Sequence, residues 1–244
     1  MDLDQIVDRF AEALLYIDFD DSRFRENRKR DKVYLPGLAA MPENEVVQCF
    51  TEWWSSTYPE ELPSHECVRL EVPYPLSKRA KCDLVLIADP SVDSRPEWAI
   101  EMKRIQFVGD NGKRNDFGVP KILSPYLKDR SLIHDIHRMI DDPIADKSAV
   151  LGYAFSYDFE TCKQALGHHP EQGSRISELR SVCRQNDADA GVLDARALVR
   201  VADLQFQAAG VVTDHLVREF EGAWRHPCGG NGLVFAWRVA NAER

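Results

Sequence analysis

The sequence lacks the hydrophobic segments of a membrane or secreted protein. None of its 244 residues lie in an apolar run that approaches the length of about 18 residues needed to span a bilayer. Its first residues, MDLDQIVDRF, are acidic where a secretory signal would be basic. We therefore expect a soluble, cytoplasmic protein with no membrane partner.

Several signatures of enzyme and metal sites are also missing. The chain has six cysteines but no CxxC spacing, which fits reduced thiols. No GxSxG is present, and the glycine-rich CGGNG at 228–232 lacks the lysine of a phosphate-binding loop, so acyl hydrolysis and P-loop chemistry have no support. Zinc-type residues in the C-terminal third match no zinc-ligand spacing: Cys162, His168, His169, Cys183, His226 and Cys228.

Positive charge is scarce, because the formal net charge is −9. Any nucleic-acid partner must therefore meet a local basic patch. Residues 23–32 carry a net charge of +4, and residues 77–130 hold eleven basic against eight acidic side chains. Both segments can equally be ordinary solvated surface. His134 and His137, three residues apart on a predicted helix, are also more typical of helix surface than of a site.

The hydrophobic pattern predicts alternating helices and strands. Over residues 3–157 the predicted order is helix, helix, strand, strand, strand, helix and strand, at 3–17, 43–57, 67–72, 81–88, 97–107, 120–141 and 147–157. Further on, helical patterns lie at 158–166, 173–185 and 213–224, and a hairpin is expected around 229–232. The expected fold class is α/β, with a mixed central sheet flanked by helices.

The segment WAIEMKR at 98–104 places charged residues in a strand. Because successive side chains of a strand point to opposite faces, Glu101 and Lys103 share one face, opposite Trp98, Ile100 and Met102. The preceding predicted strand contains Asp83. If the two strands form an antiparallel hairpin, Asp83 and Glu101 are equidistant from Val92 in the connecting turn, so they would lie opposite each other on one face.

Such a pair of carboxylates is typical of a cation site. Two adjacent carboxylates repel each other, and a divalent cation relieves the repulsion. Mg²⁺ takes oxygen ligands and is usually held by one or two carboxylates together with substrate phosphate oxygens. A neighbouring lysine can stabilise charge on the phosphate or orient the attacking water.

These residues give a resemblance to a known family. Asp83, a gap of 17 residues and Glu101-Met102-Lys103, within a helix, three strands, a helix and a strand, resemble the PD-(D/E)xK nuclease superfamily with its restriction-endonuclease-like fold. Cys82 stands where the motif has proline. The resemblance implies that Asp83 and Glu101 bind Mg²⁺ or Mn²⁺ and that Lys103 assists the attacking water. It also implies a ligand from the Met102 backbone carbonyl and a helix acid, Glu45 or, as second choice, Glu43.

The resemblance covers residues 43–157 and implies Mg²⁺-dependent hydrolysis of phosphodiester bonds, in DNA, leaving 5′-phosphate and 3′-hydroxyl ends. We expect one domain over 1–244, with an N-terminal helix and basic arm at 1–42 and an extension at 158–244. A homodimer or a partner subunit is expected by analogy. The alternatives are a binding or assembly module of this fold that does not cut, and a nuclease subunit that relies on a partner for DNA targeting. Candidate phosphate contacts are Lys78, Arg79, Lys81, Arg104, Lys113, Arg114, Lys121 and Lys128.

Overall fold

A computed structural model describes most of the chain. The described residues are 1–20, 25–27, 32–34, 37–38, 40–63, 65–77, 79–90, 95–108, 114–126, 130–156, 195–223 and 231–240.

Most of the described strands form one mixed sheet. Six of them lie side by side in this order: β3 (Val68–Pro73), β4 (Lys81–Leu86), β5 (Trp98–Val108), β7 (Lys147–Phe155), β9 (Gly232–Val239) and β8 (Val212–Phe220). A further strand, β6 (Arg114–Phe117), pairs with β5. β5 and β7 are parallel, and the other pairs are antiparallel. In the N-terminal segment, β1 (Arg25–Asn27) and β2 (Lys32–Tyr34) form a separate antiparallel pair.

Helices cover both faces of this sheet. α1 (Leu3–Phe19) and α2 (Glu43–Thr57) pack on the face that carries Trp98, Ile100 and Met102. α3 (Val119–Leu123), α4 (Leu132–Asp141) and α5 (Ala195–Ala208) pack on the opposite face, and a 3₁₀ turn (His65–Cys67) precedes β3. Each helix presents an apolar stripe to the sheet, as helical periodicity predicts.

Asp2 shows how the sequence begins one of these helices. Its side chain accepts a hydrogen bond from the backbone N–H of Gln5 at 2.8 Å and so caps the N-terminus of α1. At the other end of α1, the buried Asp18 accepts the N–H of Leu38 at 3.0 Å. This bond anchors the segment that leads into α2.

The structure confirms the α/β class and the strands predicted before residue 157, and it corrects two predictions. The segment predicted as a helix at 213–224 is largely the strand β8, because it pairs with β9 along its length and gains the hydrogen-bonding partner that an isolated segment lacks. The helix predicted at 120–141 is divided, since residues 124–126 between α3 and α4 are not helical. The helices predicted at 158–166 and 173–185, and all the zinc-type residues named above, lie outside the described residues.

In the part of the chain that the structure describes, we find no helix with the length and hydropathy needed to cross a membrane.

Candidate functional site

The strand ladder around Asp83 is interrupted on both sides. The pairing of β4 with β5 runs from Leu86 and Trp98 to Leu84 and Ile100, and it follows the predicted register, in which Asp83 and Glu101 are the next pair. On the other side, the residue opposite Asp83 is Glu71, which has a φ of 50° and is skipped by the β3–β4 pairing. A positive φ is unusual for a residue other than glycine, and such strain is often found at functional sites.

At this break, the side chain of Asp83 accepts the hydrogen bond from β5 that a β4 backbone carbonyl would otherwise accept. Its Oδ2 accepts a hydrogen bond of 2.7 Å from the backbone N–H of Met102. In a strand the N–H and C=O of one residue point to the same side, so the Met102 carbonyl is also directed towards β4. The predicted carbonyl ligand is therefore next to the Asp83 carboxylate.

Glu101 lies beside Asp83 in a buried position. Its side chain is 4% exposed, and its Oε1 accepts a hydrogen bond of 2.7 Å from the hydroxyl of Tyr74, the residue that follows β3. The same oxygen lies 3.4 Å from Nη1 of Arg138 on α4. Burial raises the pKa of Asp83, and the neighbouring Glu101 carboxyl is among the groups that oppose the shift. The two acids therefore belong to one cluster, since Asp83 contacts the backbone of Met102, the residue next to Glu101.

Lys103 is held by α4. Its Nζ lies 2.6 Å from Oδ2 of Asp135, and both side chains are less than a tenth exposed. The other oxygen of Asp135, Oδ1, is 3.0 Å from Nη1 of Arg138. The Arg138 guanidinium thus bridges Glu101 and Asp135, the partner of Lys103.

The acid of α2 that reaches this strand is Glu43. Its Oε1 accepts a hydrogen bond of 2.9 Å from the backbone N–H of Arg104. Glu45, the first choice from the sequence, lies two residues further along α2, about 200° around the helix from Glu43. Of these two candidate acids, Glu43 is the one for which a contact with β5 is described.

Electrostatic coupling links the side chains of this cluster. Burial, with the negative charges of Asp135 and Asp83, raises the pKa of Glu101 well above its usual range. Burial also raises the pKa of Asp83, although the Met102 N–H opposes the shift. Burial would lower the pKa of Lys103, but the carboxylates of Asp135 and Glu43 outweigh it, so this pKa is raised and the ammonium stays charged.

The cluster contains more acids than cations. Glu43, Asp83, Glu101 and Asp135 supply four carboxyl groups, beside the two cations Lys103 and Arg138. Among the described residues, no group of three or more His, Cys, Asp or Glu side chains is arranged as a metal cage. Asp83, Glu101 and the Met102 carbonyl still offer a set of oxygen ligands that suits Mg²⁺, which relies on few protein carboxylates and on substrate phosphate.

The predicted phosphate contacts are spread over several environments. Arg79 and Lys81 are exposed at the β3–β4 turn, at the end of β4 that carries Asp83, and Lys81 forms a weak surface pair with Glu71 at 3.4 Å. Arg104 lies on the opposite face of β5 from Lys103, and its Nη1 donates to the carbonyls of Met41 at 2.6 Å and Leu38 at 3.3 Å. Lys121 is half-buried on α3. The remaining candidates lie outside the described residues or have no described side chain: Lys78, Lys113, Arg114 and Lys128.

Three residues of the cluster were not predicted from the sequence: Tyr74, Asp135 and Arg138. The sequence does give an indication of Asp135, because this acid lies on the apolar face of α4 with Leu132, Ile136 and Met139, where a charged side chain is unusual. Tyr74 lies in a turn, and the sequence gives no sign of its contact with Glu101. The two histidines of this helix take no part in the contacts described above; His137 is exposed and His134 is half-buried.

Comparison of this chain with protein-family models, with curated proteins and with solved structures finds no match.

Proposed function

We propose that this protein is a Mg²⁺-dependent nuclease of restriction-endonuclease-like fold that hydrolyses phosphodiester bonds in DNA. One observation carries the proposal. Asp83 and Glu101 occupy neighbouring register positions on adjacent strands, with Oδ2 of Asp83 2.7 Å from the backbone N–H of Met102, and Lys103 lies on the same face of β5 as Glu101.

This arrangement is unfavourable for folding alone. Glu101 and Lys103 interrupt a face of β5 whose other members, Ala99, Ile105 and Phe107, belong to the apolar core. Burying ionised groups carries a desolvation penalty of several kcal/mol for each ion in real proteins. A pair of like charges adds repulsion, so a ligand of opposite charge is the simplest reason for the pair.

In each of the two carboxyl groups, one oxygen atom is hydrogen-bonded to a protein donor. Protein donors contact Oδ2 of Asp83 and Oε1 of Glu101, which leaves Oδ1 and Oε2 as the atoms we assign to the cation. Hydrogen bonds of this kind fix the orientation of ligating carboxylates. When bound, a divalent cation would stabilise negative charge on the scissile phosphate and favour ionisation of the attacking water.

Lys103 would act on the phosphate or on the attacking water. Its ammonium lies 2.6 Å from Oδ2 of Asp135 on the face of β5 that carries Glu101, and an ammonium group has three N–H donors with which it could contact substrate. Its raised pKa keeps it protonated, which suits stabilisation of the charge that develops as water attacks the phosphorus and the 3′-oxygen leaves.

The order of elements supports the family assignment. α2, the strands β3 to β5, α4 and β7 follow the order that the motif predicts, and Glu43 on α2 reaches β5. Arg79 and Lys81 lie at the end of β4 that carries Asp83, where they can meet the phosphates that flank a scissile bond.

A plasmid cleavage assay with Mg²⁺ or Mn²⁺ tests the proposal. We expect wild-type protein to cut, and Glu101→Gln and Lys103→Met to lower the rate on the order of 10²–10³-fold, the scale of losing one preorganised charge contact. Glu97→Gln is the matched control, because Glu97 is an acid beside β5 that pairs with Lys147 at 2.8 Å. Equal cleavage by wild-type and Glu101→Gln proteins would exclude this site.

A second candidate is a nuclease subunit that depends on a partner for DNA binding. The net charge of −9 favours it, because a free-standing DNA enzyme usually presents a stronger positive field. In that case the isolated protein would cut short oligonucleotides slowly at low salt. Glu101→Gln would lower this rate as it lowers plasmid cleavage.

A further inference from the structure

We infer that Asp135 is a positioning residue of this site, which acts through Lys103 and is itself held by Arg138. The inference rests on the proposed function and assigns a role to α4 within it.

Each oxygen of Asp135 lies within ion-pair distance of a cation. Oδ2 lies 2.6 Å from Nζ of Lys103, and Oδ1 lies 3.0 Å from Nη1 of Arg138. The side chain of Asp135 is 4% exposed and that of Lys103 is 8% exposed. Asp135 is therefore not placed as a further cation ligand, although it is an acid within the cluster.

The contact determines where the ammonium of Lys103 can be. A lysine side chain has a flexible four-carbon stem, and its rotamers would spread the charge over several ångströms if it were free. A buried ion pair on a rigid helix limits the stem to one position beside Glu101. Precise placement of a charge matters for catalysis, since a displacement of about 1 Å can lower a rate on the order of 10²-fold.

Arg138 links this contact to the other half of the site. Its Nη1 reaches both Asp135 and Oε1 of Glu101, so α4 contacts the two charged β5 residues through one bridge. Folding alone does not require such a bridge, because well-packed apolar residues often replace buried ion networks without loss of stability. Placement of Lys103 and Glu101 gives the bridge a function.

A double-mutant cycle tests the inference on the full chain with four proteins: wild type, Asp135→Asn, Lys103→Met and the double variant. We expect Asp135→Asn to lower kcat about 10–100-fold, the usual effect of losing an outer partner of a metal-site residue. KM and the Mn²⁺ Kd from calorimetry should change less than about threefold, since Asp135 binds neither substrate nor cation. In the Lys103→Met background, adding Asp135→Asn should leave kcat unchanged within about twofold.

Asp203→Asn is the matched control. Asp203 on α5 is a partly buried acid with three partners, Gln207 at 2.9 Å, Trp237 at 3.0 Å and His215 at 3.3 Å, and it takes no part in the cluster contacts described above. Its substitution should shift the urea midpoint and leave kcat and the Mn²⁺ Kd unchanged. If Asp135→Asn does not fold, Asp135→Glu replaces it, and the same split of kcat from Kd is expected because the longer side chain moves Lys103.

Two results would overturn the inference while the proposed function stands. If the losses from Asp135→Asn and Lys103→Met multiply, Asp135 does not act through Lys103. If Asp135→Asn abolishes Mn²⁺ binding, Asp135 is a ligand. If wild-type protein neither binds Mn²⁺ nor cuts DNA, the proposed function itself fails and the positioning role fails with it.

Discussion

Glu101 is a buried acid surrounded by donors and by other acids. Tyr74 and Arg138 contact one of its oxygens, and the charges of Asp135 and Asp83 surround it. These partners hold the carboxyl group of Glu101 in an environment that does not favour its charge.

The hydroxyl of Tyr74 should contribute to cation affinity. Tyr74→Phe removes only the donor to Oε1 of Glu101 and keeps the ring, so Mn²⁺ affinity measured by calorimetry should fall about 10-fold or more. Tyr58→Phe is the control, because Tyr58 donates to Glu12 at 2.8 Å on the surface. Equal Mn²⁺ affinity in wild-type and Tyr74→Phe proteins would show that this hydroxyl does not orient the carboxylate.

The stability of the metal-free protein should depend on the proton of Glu101. Folding raises the pKa of this carboxyl well above the value of 4.5 for an unperturbed glutamate, so the folded state binds the proton more tightly than the unfolded chain. The resulting stabilisation is complete below pH 4.5 and is lost as the pH rises towards the raised pKa. The free energy of unfolding from urea titrations should therefore fall over this range.

The same titrations on Glu101→Gln isolate the effect, because glutamine has no proton to lose. Between about pH 5 and 8, the free energy of unfolding of Glu101→Gln should fall less than that of the wild type. Saturating Mn²⁺ should restore stability to the wild type and not to the variant. Parallel pH profiles for the two proteins would contradict the raised pKa of Glu101.

At the scale of elements, the site depends on the close approach of β5, β7 and β9. Gly152 of β7 lies opposite Lys103 on one side and Phe235 on the other. A Cβ at this position would lie 2.6 Å from the Lys103 carbonyl oxygen and would also meet the Phe235 ring. The absence of a side chain at Gly152 lets the strand that carries the site pack at its normal distance.

Gly152→Ala should therefore disturb both folding and the site. We expect a loss of about 1–3 kcal/mol in the free energy of unfolding from overpacking, together with weaker Mn²⁺ binding, because β5 must shift at Lys103. Gly210→Ala is the control, since its Cβ would meet open space but its φ of 67° is unfavourable for alanine, at about 1–2 kcal/mol. Gly152→Ala and Gly210→Ala could lose a similar amount of stability while Gly152→Ala keeps the wild-type Mn²⁺ affinity. That result would show that packing at Gly152 does not affect the proposed cation site.

Local pattern was sufficient to predict the strands that carry the motif and their register. The hairpin symmetry of Asp83 and Glu101 about Val92 agrees with the pairing of Leu84 with Ile100, because register in a hairpin is fixed by its turn and its apolar faces. Pattern alone failed for β8, whose strand form depends on its partner β9. It also could not supply Asp135 or Tyr74, since their contacts arise only when α4 and the β3–β4 turn pack against β5.

At the scale of the whole molecule, charge is the main constraint on the proposed substrate. A net charge of −9 opposes DNA, so the positive residues near the site must supply the attraction. Arg79 and Lys81 are exposed at the β3–β4 turn and are the described cations best placed for this task.

The contribution of Arg79 and Lys81 should appear in how DNA affinity depends on salt concentration. Arg79→Gln and Lys81→Gln should each weaken binding to oligonucleotides of any sequence and reduce the slope of log K against log salt by about 1. Fluorescence anisotropy without added divalent cation, with the Glu101→Gln protein as the background, measures both quantities. An unchanged slope in the double variant would place the DNA on another surface.

The most direct test of the central claim is calorimetric titration of Mn²⁺ into wild-type and Glu101→Gln proteins, with plasmid cleavage assayed on the same preparations. We predict saturable Mn²⁺ binding and cleavage by the wild type, and in the variant a loss of Mn²⁺ binding with cleavage slowed on the order of 10²–10³-fold, because Glu101 and Asp83 would form the cation site. Wild-type protein that binds no Mn²⁺ and cuts no DNA would contradict it, and the buried charges around Glu101 would then need a structural explanation.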